Sequence, residues 1–337
     1  MNAGAFTAQN VQTEPVLSIR NLRVAFGSTR GALVAVDGVD LDVRSGEVLG
    51  IAGESGSGKS VTLRAILGLI RAPGQATGQV LWRGKDLMTL PKGELRRVRG
   101  GEIGIIFQEP MTALNPVLTV GMQIRENLKE HTTLDAAGRE KRAVELMDHV
   151  GIPAAKSRLD DYPHQFSGGM RQRAMIAIAL ASNPKLLLAD EPTTALDVTI
   201  QDQILKLILR LRSEMNMSVV LVTHDLGVIA QTCDRLAVMY AGRIVETGPV
   251  TALFKSPRHA YTLGLLNSVP RGDLVRQPLS SISGQPPLLF QLPPGCAFAP
   301  RCRFMTEACN AAKPPLVAID ADHRAACIHH ADVAKAS

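Results

Sequence analysis

The sequence predicts an α/β protein built around a parallel sheet, and three features predict it. Short apolar runs typical of buried strands occur at Val48–Ala52, Ile103–Phe107, Leu186–Ala189 and Val219–Val222. Segments with helical periodicity lie between them, notably Ala137–Val150, Arg171–Ser182 and Thr199–Met215. A glycine-rich turn follows the first apolar run. Because strands that alternate with helices form parallel sheets covered on both faces, we expect this architecture here.

The N-terminal part has a different pattern. Between Val16 and Val43 apolar and polar residues alternate, most clearly where Asp40 and Asp42 separate Val39, Leu41 and Val43. Alternation with a period of two is typical of a strand with one face on the core and one in water. The sequence therefore predicts an antiparallel β-subdomain ahead of the parallel sheet.

Length and charge limit the classes of function. The chain has 337 residues and a formal net charge of +6, which permits an anionic partner such as nucleic acid, a membrane surface or a polyphosphate. The longest apolar helical stretch, Ala174–Ala181, is far shorter than the roughly 20 residues that a membrane-spanning helix needs. Any role at a membrane therefore requires a partner protein.

The glycine-rich turn matches a phosphate-binding loop at every fixed position. The loop runs from Gly53 to Ser60, after a predicted strand and before a helix predicted over Val61–Leu69. Glycines allow successive backbone N–H groups to surround phosphates at a helix N-terminus. Lys59 is expected to reach the β- and γ-phosphates, and the Ser60 hydroxyl to bind Mg²⁺. The remaining predicted nucleotide-binding positions of this loop are Gly53, Ser55, Gly56, Ser57 and Gly58.

Two carboxylates follow the predicted strand Leu186–Ala189. Asp190 and Glu191 lie where an open parallel sheet presents its ligands. Asp190 is expected to hold Mg²⁺ and Glu191 to act as the general base for the attacking water. An acidic pair in a turn is by itself often only solvated, but its combination with the phosphate-binding loop favours ATP hydrolysis.

Phe166-Ser167-Gly168-Gly169-Met170 resembles the signature motif of ABC-type ATPases. The common family form is LSGGQ, so the two ends differ here while Ser167, Gly168 and Gly169 are kept. The resemblance implies that these three residues bind the γ-phosphate of a nucleotide held by a second ATPase subunit. Two ATP molecules would then lie between two chains.

Other positions resemble the remaining elements of this family. Gln108 resembles the Q-loop glutamine, which contacts Mg²⁺ and the attacking water, and His224 resembles the switch histidine at the γ-phosphate. Ala195-Leu196-Asp197 resembles the D-loop, with Asp197 at the dimer interface. Phe26 is the candidate for the aromatic residue that stacks on adenine, although a lone aromatic is more often part of a core.

Several stretches resemble the dipeptide/oligopeptide/nickel importer branch of ABC transporters. They are Phe107–Pro116, Tyr162–Phe166, Gly284–Pro287 and Leu292–Cys296. The resemblance implies an ATPase subunit at the cytoplasmic face of the cell membrane, peripheral to it, that powers import of di- or oligopeptides. It also implies a second, different ATPase subunit, two transmembrane permease subunits and an extracytoplasmic peptide-binding protein. Residues 109–116, after Gln108, are a candidate docking surface for the permease subunits.

Four cysteines crowd the C-terminal part of the chain: Cys296, Cys302, Cys309 and Cys327. Four thiolates can hold a [4Fe–4S] cluster or zinc, and the long spacings are unlike those of zinc knuckles. The family resemblance favours the iron–sulfur cluster, with zinc or no metal as alternatives. His323, His329 and His330 are further candidate ligands. Cys233 stands apart and is expected to be a small core residue.

These observations predict an ATPase domain at residues 14–260, with a helical subdomain at about 110–182, and a Cys-rich extension at 261–337. Residues 270–295, rich in Pro, Gly and Ser, would form an irregular connector. There are three alternatives: import of nickel or another small solute, a soluble ABC-type ATPase acting on nucleic acid, and a non-catalytic regulatory subunit. The third predicts a damaged loop, Glu191 or His224, and all are intact. The second usually has two ATPase units or a long coiled-coil insertion, so no nucleic-acid partner is expected.

Overall fold

Two sheets organise the fold. A computed structural model of the chain describes residues 14–28, 31–194, 196–268 and 282–337, with the backbone alone at 28, 110 and 111. In chain order the strands are β1 (Leu17–Ser28), β2 (Gly31–Val43), β3 (Val48–Ala52), β4 (Gly74–Trp82), β5 (Lys85–Asp86), β6 (Ile103–Ile106), β7 (Leu186–Asp190), β8 (Ser218–Val222), β9 (Arg235–Tyr240), β10 (Arg243–Pro249), β11 (Val317–Ala318) and β12 (Arg324–Ala325).

The helices fill the intervals between the strands. In chain order they are α1 (Lys59–Ile66), α2 (Lys92–Val98), α3 (Pro110–Ala113), α4 (Val120–His131), α5 (Ala136–His149), α6 (Ala155–Arg158), α7 (Gly168–Leu180), α8 (Val198–Met215), α9 (Leu226–Thr232), α10 (Val250–Lys255), α11 (Ala260–Asn267), α12 (Ala308–Ala311) and α13 (His330–Lys335). Short 3₁₀ turns occur at Pro163–Gln165 and Ala299–Arg301.

The smaller sheet is antiparallel and confirms the predicted N-terminal β-subdomain. Its strand order is β2-β1-β4-β5, and Leu17 of β1 pairs with Val43 of β2 and Trp82 of β4. The alternating residues Val39, Leu41 and Val43 point into the core, because that face of β2 packs on the rest of the protein. The sequence pattern did not single out β4, whose first half is largely exposed.

The larger sheet confirms the predicted parallel core. Its order is β11-β12-β10-β9-β3-β8-β7-β6, and the five strands β9, β3, β8, β7 and β6 are mutually parallel. Strands β3, β7 and β8 are completely buried. Leu187 and Val219 face the core formed with the helices α4–α8, whereas Leu188 and Val220 face the core shared with the smaller sheet and α1. Burial on both faces explains why these strands are uninterrupted apolar runs.

The C-terminal extension joins the larger sheet. Glu246 of β10 pairs with Ala325 of β12, and Val317 of β11 pairs with Ala325 in turn. A third apolar cluster, which includes Tyr240, Tyr261 and Phe298, packs α11 and the extension against β9 and β10. The first part of the predicted connector, 270–281, lies outside the described residues. Among the helices of the described residues, none is both long and apolar enough to span a membrane.

Candidate nucleotide-binding site

The predicted site residues collect at one edge of the larger sheet. The parallel strands β3, β6, β7 and β8 end at the same edge. One or two residues after these strands end, the chain reaches a predicted site residue in each case: Gly53, Gln108, Glu191 and His224. The edge formed by the carboxyl ends of a parallel sheet is where such folds bind ligands.

The phosphate-binding loop needs glycine for space as well as conformation. Gly53 and Gly58 have φ of 155° and 107°. A Cβ at Gly53 would lie 2.1 Å from the Met239 carbonyl oxygen, and one at Gly58 would lie 2.5 Å from that of Ala35. A side chain at either position would therefore force the loop away from β9 or β2. α1 begins at Lys59, directly after the loop.

Lys59 is buried and is held by the loop itself. Its ammonium donates hydrogen bonds to the carbonyl oxygens of Gly53 at 2.8 Å and Glu54 at 3.0 Å. Burial lowers the pKa of the Lys59 ammonium, while the negative charges of Glu191, Asp190 and Glu54 act in the opposite direction. The cation thus lies in a pocket with three carboxylates nearby.

Ser60 and Asp190 lie side by side. The Ser60 hydroxyl donates a hydrogen bond of 2.8 Å to Oδ1 of Asp190, and Asp190 is buried at the end of β7. Burial raises the pKa of Asp190, and the hydrogen bond from Ser60 opposes that shift. A hydroxyl and a carboxylate in contact are ligand types that Mg²⁺ prefers, so the residues fit this ion.

Three side chains contact one carboxylate oxygen of Glu191. Oε2 accepts hydrogen bonds from Gln108 Nε2 at 3.2 Å and Thr194 Oγ1 at 2.8 Å, and lies 3.4 Å from Nδ1 of His224. The backbone of Glu191 has φ of 45°, a conformation unusual for a residue other than glycine. Gln108, Glu191 and His224, predicted from three separate segments, are therefore brought together. Thr194 was missed, because a threonine in a turn carries no signal of this contact.

Ser167, Gly168 and Gly169 lie at the start of α7. The Ser167 hydroxyl accepts a hydrogen bond of 3.4 Å from the Met170 N–H, which caps the helix. Ser167 and Gly168 are exposed, and Gly169 lies against Ile200 of α8. The exposed Asp197 similarly caps α8 by accepting from the Ile200 N–H at 2.9 Å. Ala195, in the same predicted D-loop, lies outside the described residues.

Phe26 lies at the end of β1, close to the phosphate-binding loop. It pairs with Leu33 of β2, two residues before Ala35, whose carbonyl lies against Gly58. Its half-buried ring covers Gly74, since a Cβ at Gly74 would lie 2.6 Å from the ring. Its stacking on adenine stays a prediction.

The prediction of an iron–sulfur cluster, or of zinc in its place, is wrong for this structure. The four cysteines line one small pocket, but no group of three or more His, Cys, Asp or Glu residues in the described ranges is arranged to hold a metal ion. Burial raises the pKa of the thiols of Cys296, Cys302 and Cys327, the last to about 11.

Two of the three nearby histidines have other contacts. His323 Nε2 contacts Oε1 of Glu246 at 2.7 Å, and His329 Nε2 contacts the Thr306 hydroxyl at 2.9 Å. Cys296, Cys302 and Cys327 instead pack in the third apolar cluster with Phe298 and Val333. Cys233 packs there too, next to Gly50, and burial raises its thiol pKa to about 11.

Comparison with known proteins agrees with this geometry. Residues 36–194 match the ABC transporter family, and residues 245–309 match the oligopeptide/dipeptide transporter C-terminal region. The chain is 51% identical to a peptide import ATP-binding protein of Brucella melitensis over 95% of this chain and 99% of that one. It is 47% identical to the oligopeptide transport ATP-binding protein OppD of Escherichia coli over 90% of both chains. The dimeric ATP-binding cassette MJ0796 bound to ADP and Pi superposes with a TM-score of 0.63 and 31% identity, over 69% of this chain and 98% of that one.

The fold and the site therefore define an ATP-binding cassette protein, an ATPase coupled to transport. Within that class, the chain belongs to the oligopeptide/dipeptide branch of the ABC transporter ATP-binding proteins. The chain is a peripheral protein at the cytoplasmic face of the membrane.

Proposed function

We propose that this chain hydrolyses Mg-ATP in a pocket completed by a second ATP-binding subunit, and that hydrolysis drives peptide import. The observation that carries the proposal is the convergence of Gln108, Thr194 and His224 on one oxygen of Glu191, beside Lys59 and the Ser60–Asp190 pair. Phosphoryl transfer depends mainly on positioning and on neutralising charge. This arrangement offers both.

The phosphate-binding loop holds the triphosphate. The N–H groups of Gly56, Gly58 and their neighbours would surround the β- and γ-phosphates at the N-terminus of α1. Lys59 would exchange its contacts with the Gly53 and Glu54 carbonyls for the phosphate oxygens. Ser60, Asp190 and Gln108 would hold Mg²⁺, which when bound supplies positive charge at the phosphate oxygens.

Glu191 is the proposed general base. Its carboxylate is oriented by Gln108, Thr194 and His224, so it is ready to accept a proton from the attacking water. His224 is 63% exposed at its side chain, which leaves it free to turn toward the γ-phosphate when nucleotide enters. In this proposal Gln108, Glu191 and His224 form the catalytic group.

A second subunit completes the pocket. Ser167, Gly168 and Gly169 present the N-terminus of the 13-residue helix α7, and the positive end of a helix favours an anion. Because Ser167 and Gly168 are exposed rather than packed on their own chain, they are available to the γ-phosphate in the opposing subunit. Asp197, also exposed, is proposed to lie at that interface. The relative MJ0796 was described as a dimer bound to ADP and Pi, which supports this assembly.

The proposed transport partners follow from the family. The names of the relatives in Brucella melitensis and Escherichia coli describe peptide import and oligopeptide transport, so peptide is the proposed cargo. Two permease subunits, a different second ATPase chain and an extracytoplasmic peptide-binding protein are the proposed partners. Val117 and Met122, which are 76% and 49% exposed, follow the predicted docking stretch. They offer an apolar surface to the permease.

We also propose the division into an ATPase domain at 14–260, with helical subdomain at about 110–182, and an extension at 261–337. The helices α3–α7, all between β6 and β7, support the subdomain. The pairing of β12 with β10 means that the extension is attached to the ATPase sheet along its edge.

Substitution of the base tests the ATPase proposal. We expect Glu191→Gln to bind ATP and accumulate an ATP-dependent dimer while phosphate release falls by a factor of at least about 100. Lys59→Ala is expected to lose ATP binding. Glu214→Gln, which changes an exposed carboxylate of α8 paired with Arg210, is the matched control and should hydrolyse ATP normally. Unchanged hydrolysis in Glu191→Gln would eliminate the assigned base.

A further inference from the structure

Every polar group of Glu54, the second residue of the phosphate-binding loop, has a partner. Its carbonyl oxygen accepts from the Lys59 ammonium at 3.0 Å and from the Ser57 N–H at 3.2 Å. Its N–H donates to the Tyr261 hydroxyl at 2.7 Å. Its carboxylate is bound by Arg301. Two of these partners, Tyr261 and Arg301, come from the C-terminal region and not from the ATPase motifs.

The contact between Arg301 and Glu54 is a two-pronged ion pair. The two terminal nitrogens of Arg301 donate to Oε2 and Oε1 of Glu54 at 2.7 and 3.0 Å, and the third donor, Nε, reaches the Ser283 carbonyl at 3.0 Å. The Arg301 side chain is only 6% exposed. Its hydrogen bonds to Glu54 raise the pKa of the guanidinium further above its already high ordinary value. Paired geometry of this kind fixes orientation as well as charge.

An aromatic cluster fixes the position of Arg301 and Tyr261. The rings of Tyr240, Tyr261 and Phe298 lie 4.5 to 5.4 Å apart and are all almost fully buried. The Tyr240 hydroxyl accepts a hydrogen bond of 3.3 Å from Arg301. Buried rings packed against one another have little freedom to move. The two groups that hold Glu54 are therefore held rigidly themselves.

A carboxylate in this loop creates an electrostatic problem. The loop receives a triphosphate, and the negative charge of Glu54 would oppose it through a region with limited water. Arg301 neutralises that charge and leaves the Lys59 ammonium available for the nucleotide. It also keeps in place the Glu54 carbonyl oxygen, which accepts a hydrogen bond from Lys59.

We propose that Arg301 and Tyr261 are positioning residues for ATP, which hold and neutralise Glu54 and thereby set the affinity of the phosphate-binding loop. The inference rests on the proposed ATP site. It gives the C-terminal region a role in nucleotide binding that acts through Glu54. Both residues lie within the matched segment 245–309. Neither residue touches the reacting atoms.

The test measures the dissociation constant of the full-length chain for ATP by calorimetric titration. Arg301→Met retains side-chain length but leaves Glu54 uncompensated, and we expect the dissociation constant for ATP to rise about tenfold. The double variant Glu54→Gln/Arg301→Met removes the uncompensated charge, and its dissociation constant is expected to return to within about threefold of the wild-type value. A purely structural role of Arg301 predicts no such recovery, so a double variant as weak as Arg301→Met overturns the proposal.

A second ion pair provides the matched control. Arg235 contacts both carboxylate oxygens of Glu47, at 3.1 and 3.2 Å. Glu47 directly precedes the first residue of β3, whereas the phosphate-binding loop follows the last. Arg235→Met is expected to lower the unfolding midpoint without changing the ATP dissociation constant. Equal loss of ATP affinity in Arg235→Met and Arg301→Met would overturn the proposal, since the effect would then be one of general stability.

Two further variants separate the possible failures. Arg301→Lys still neutralises the charge of Glu54 but cannot make the two-pronged contact. We expect it to weaken ATP binding about threefold. If Lys59→Ala abolishes binding while Arg301→Met and Arg301→Lys match the wild type, the present inference fails and the ATP site stands. If Lys59→Ala also binds ATP normally, both proposals fail.

Discussion

At the residue scale, the chemistry of the site depends on carboxylates whose surroundings differ. Glu191 is oriented by three side chains and is partly open to the nucleotide. Asp190, its neighbour in sequence, is buried and contacts Ser60. Adjacent carboxylates in unlike surroundings can take different roles, one as a metal ligand and one as a base.

Asp190 should make the stability of the nucleotide-free protein depend on pH. Its pKa is raised above the ordinary value of 3.8, so the folded protein binds this proton more tightly than the unfolded chain does. Stability from this group is present at low pH and is lost as the pH rises through the raised pKa. We therefore expect Asp190→Asn to be more stable than the wild type at neutral pH without nucleotide, by a margin that narrows as the pH is lowered.

Urea unfolding between pH 5 and 8 measures this margin, and Asp202→Asn, at an exposed carboxylate of α8, is the control. When ATP binding is measured with and without Mg²⁺, Asp190→Asn should lose the Mg²⁺ dependence that the wild type shows. A wild-type protein more stable than Asp190→Asn at pH 8 would contradict the assignment of burial as the dominant effect.

At the scale of elements, three helices near the proposed site are capped by side chains at their N-termini, and two of these side chains are also proposed site residues. Ser167 caps α7, Asp197 caps α8 and Asp225 caps α9 through the N–H groups of Gly227 and Val228. In the chain, α8 and α9 follow the carboxyl ends of β7 and β8, and Gly169 at the start of α7 lies against Ile200 of α8. A capping side chain accepts from one of the free N–H groups in the first turn of a helix, and the remaining ones point toward solvent or a ligand.

Ser167 allows the two roles to be separated. Ser167→Ala should lose the cap and cost about 1 kcal/mol of stability, whereas Ser167→Asp should keep the cap but repel the γ-phosphate of the opposing subunit. We expect Ser167→Asp to unfold near the wild-type midpoint and to fail to form an ATP-dependent dimer in the Glu191→Gln background.

Asp135, which caps the distant α5 by accepting from the Gly138 N–H at 2.8 Å, supplies the comparison. Asp135→Ala should cost a similar amount of stability and leave ATP-dependent dimerisation intact, as measured by size-exclusion chromatography. Dimerisation of Ser167→Asp at the wild-type level would remove the support for a composite pocket.

At the scale of the whole molecule, the C-terminal extension is bound to the ATPase sheet by a buried polar cluster. Glu246 of β10 is fully buried. It accepts from the N–H groups of Arg258 at 2.7 Å and His259 at 2.9 Å, and contacts His323 of the extension at 2.7 Å. A buried carboxylate needs all of its partners. The same extension carries Arg301 to the phosphate-binding loop.

Removal of His323 should therefore loosen the extension. We expect His323→Ala to lower the free energy of unfolding by about 2 kcal/mol, since it leaves a buried carboxylate short of a partner. Through Arg301 it should also weaken ATP binding. His149→Ala, at an exposed position in α5, should change neither property. Hydrogen exchange of the 282–337 backbone would show whether the loosening is local, and unchanged stability of His323→Ala would contradict the role given to this contact.

Much of the fold follows from local pattern. The run Val48–Ala52 is β3 residue for residue, and the predicted helix Thr199–Met215 differs from α8 by a single residue. These elements are predictable because buried strands and amphipathic helices impose a period on neighbouring residues. The pairing of the extension with β10 is not predictable in this way, because the two-residue strands β11 and β12 are too short to show a period.

The amino-acid sequence by itself determined the phosphate-binding loop, the Asp190–Glu191 pair and the family, because each depends on residue types at fixed short spacings. The tertiary structure alone decided three things: that Thr194 joins Gln108 and His224 on Glu191, that the cysteines form no metal site among the described residues, and that Arg301 reaches Glu54 across 247 residues of chain. Contacts at such separation depend on how the sheet and the aromatic cluster pack. Packing is a property of the whole core, and no local spacing records it.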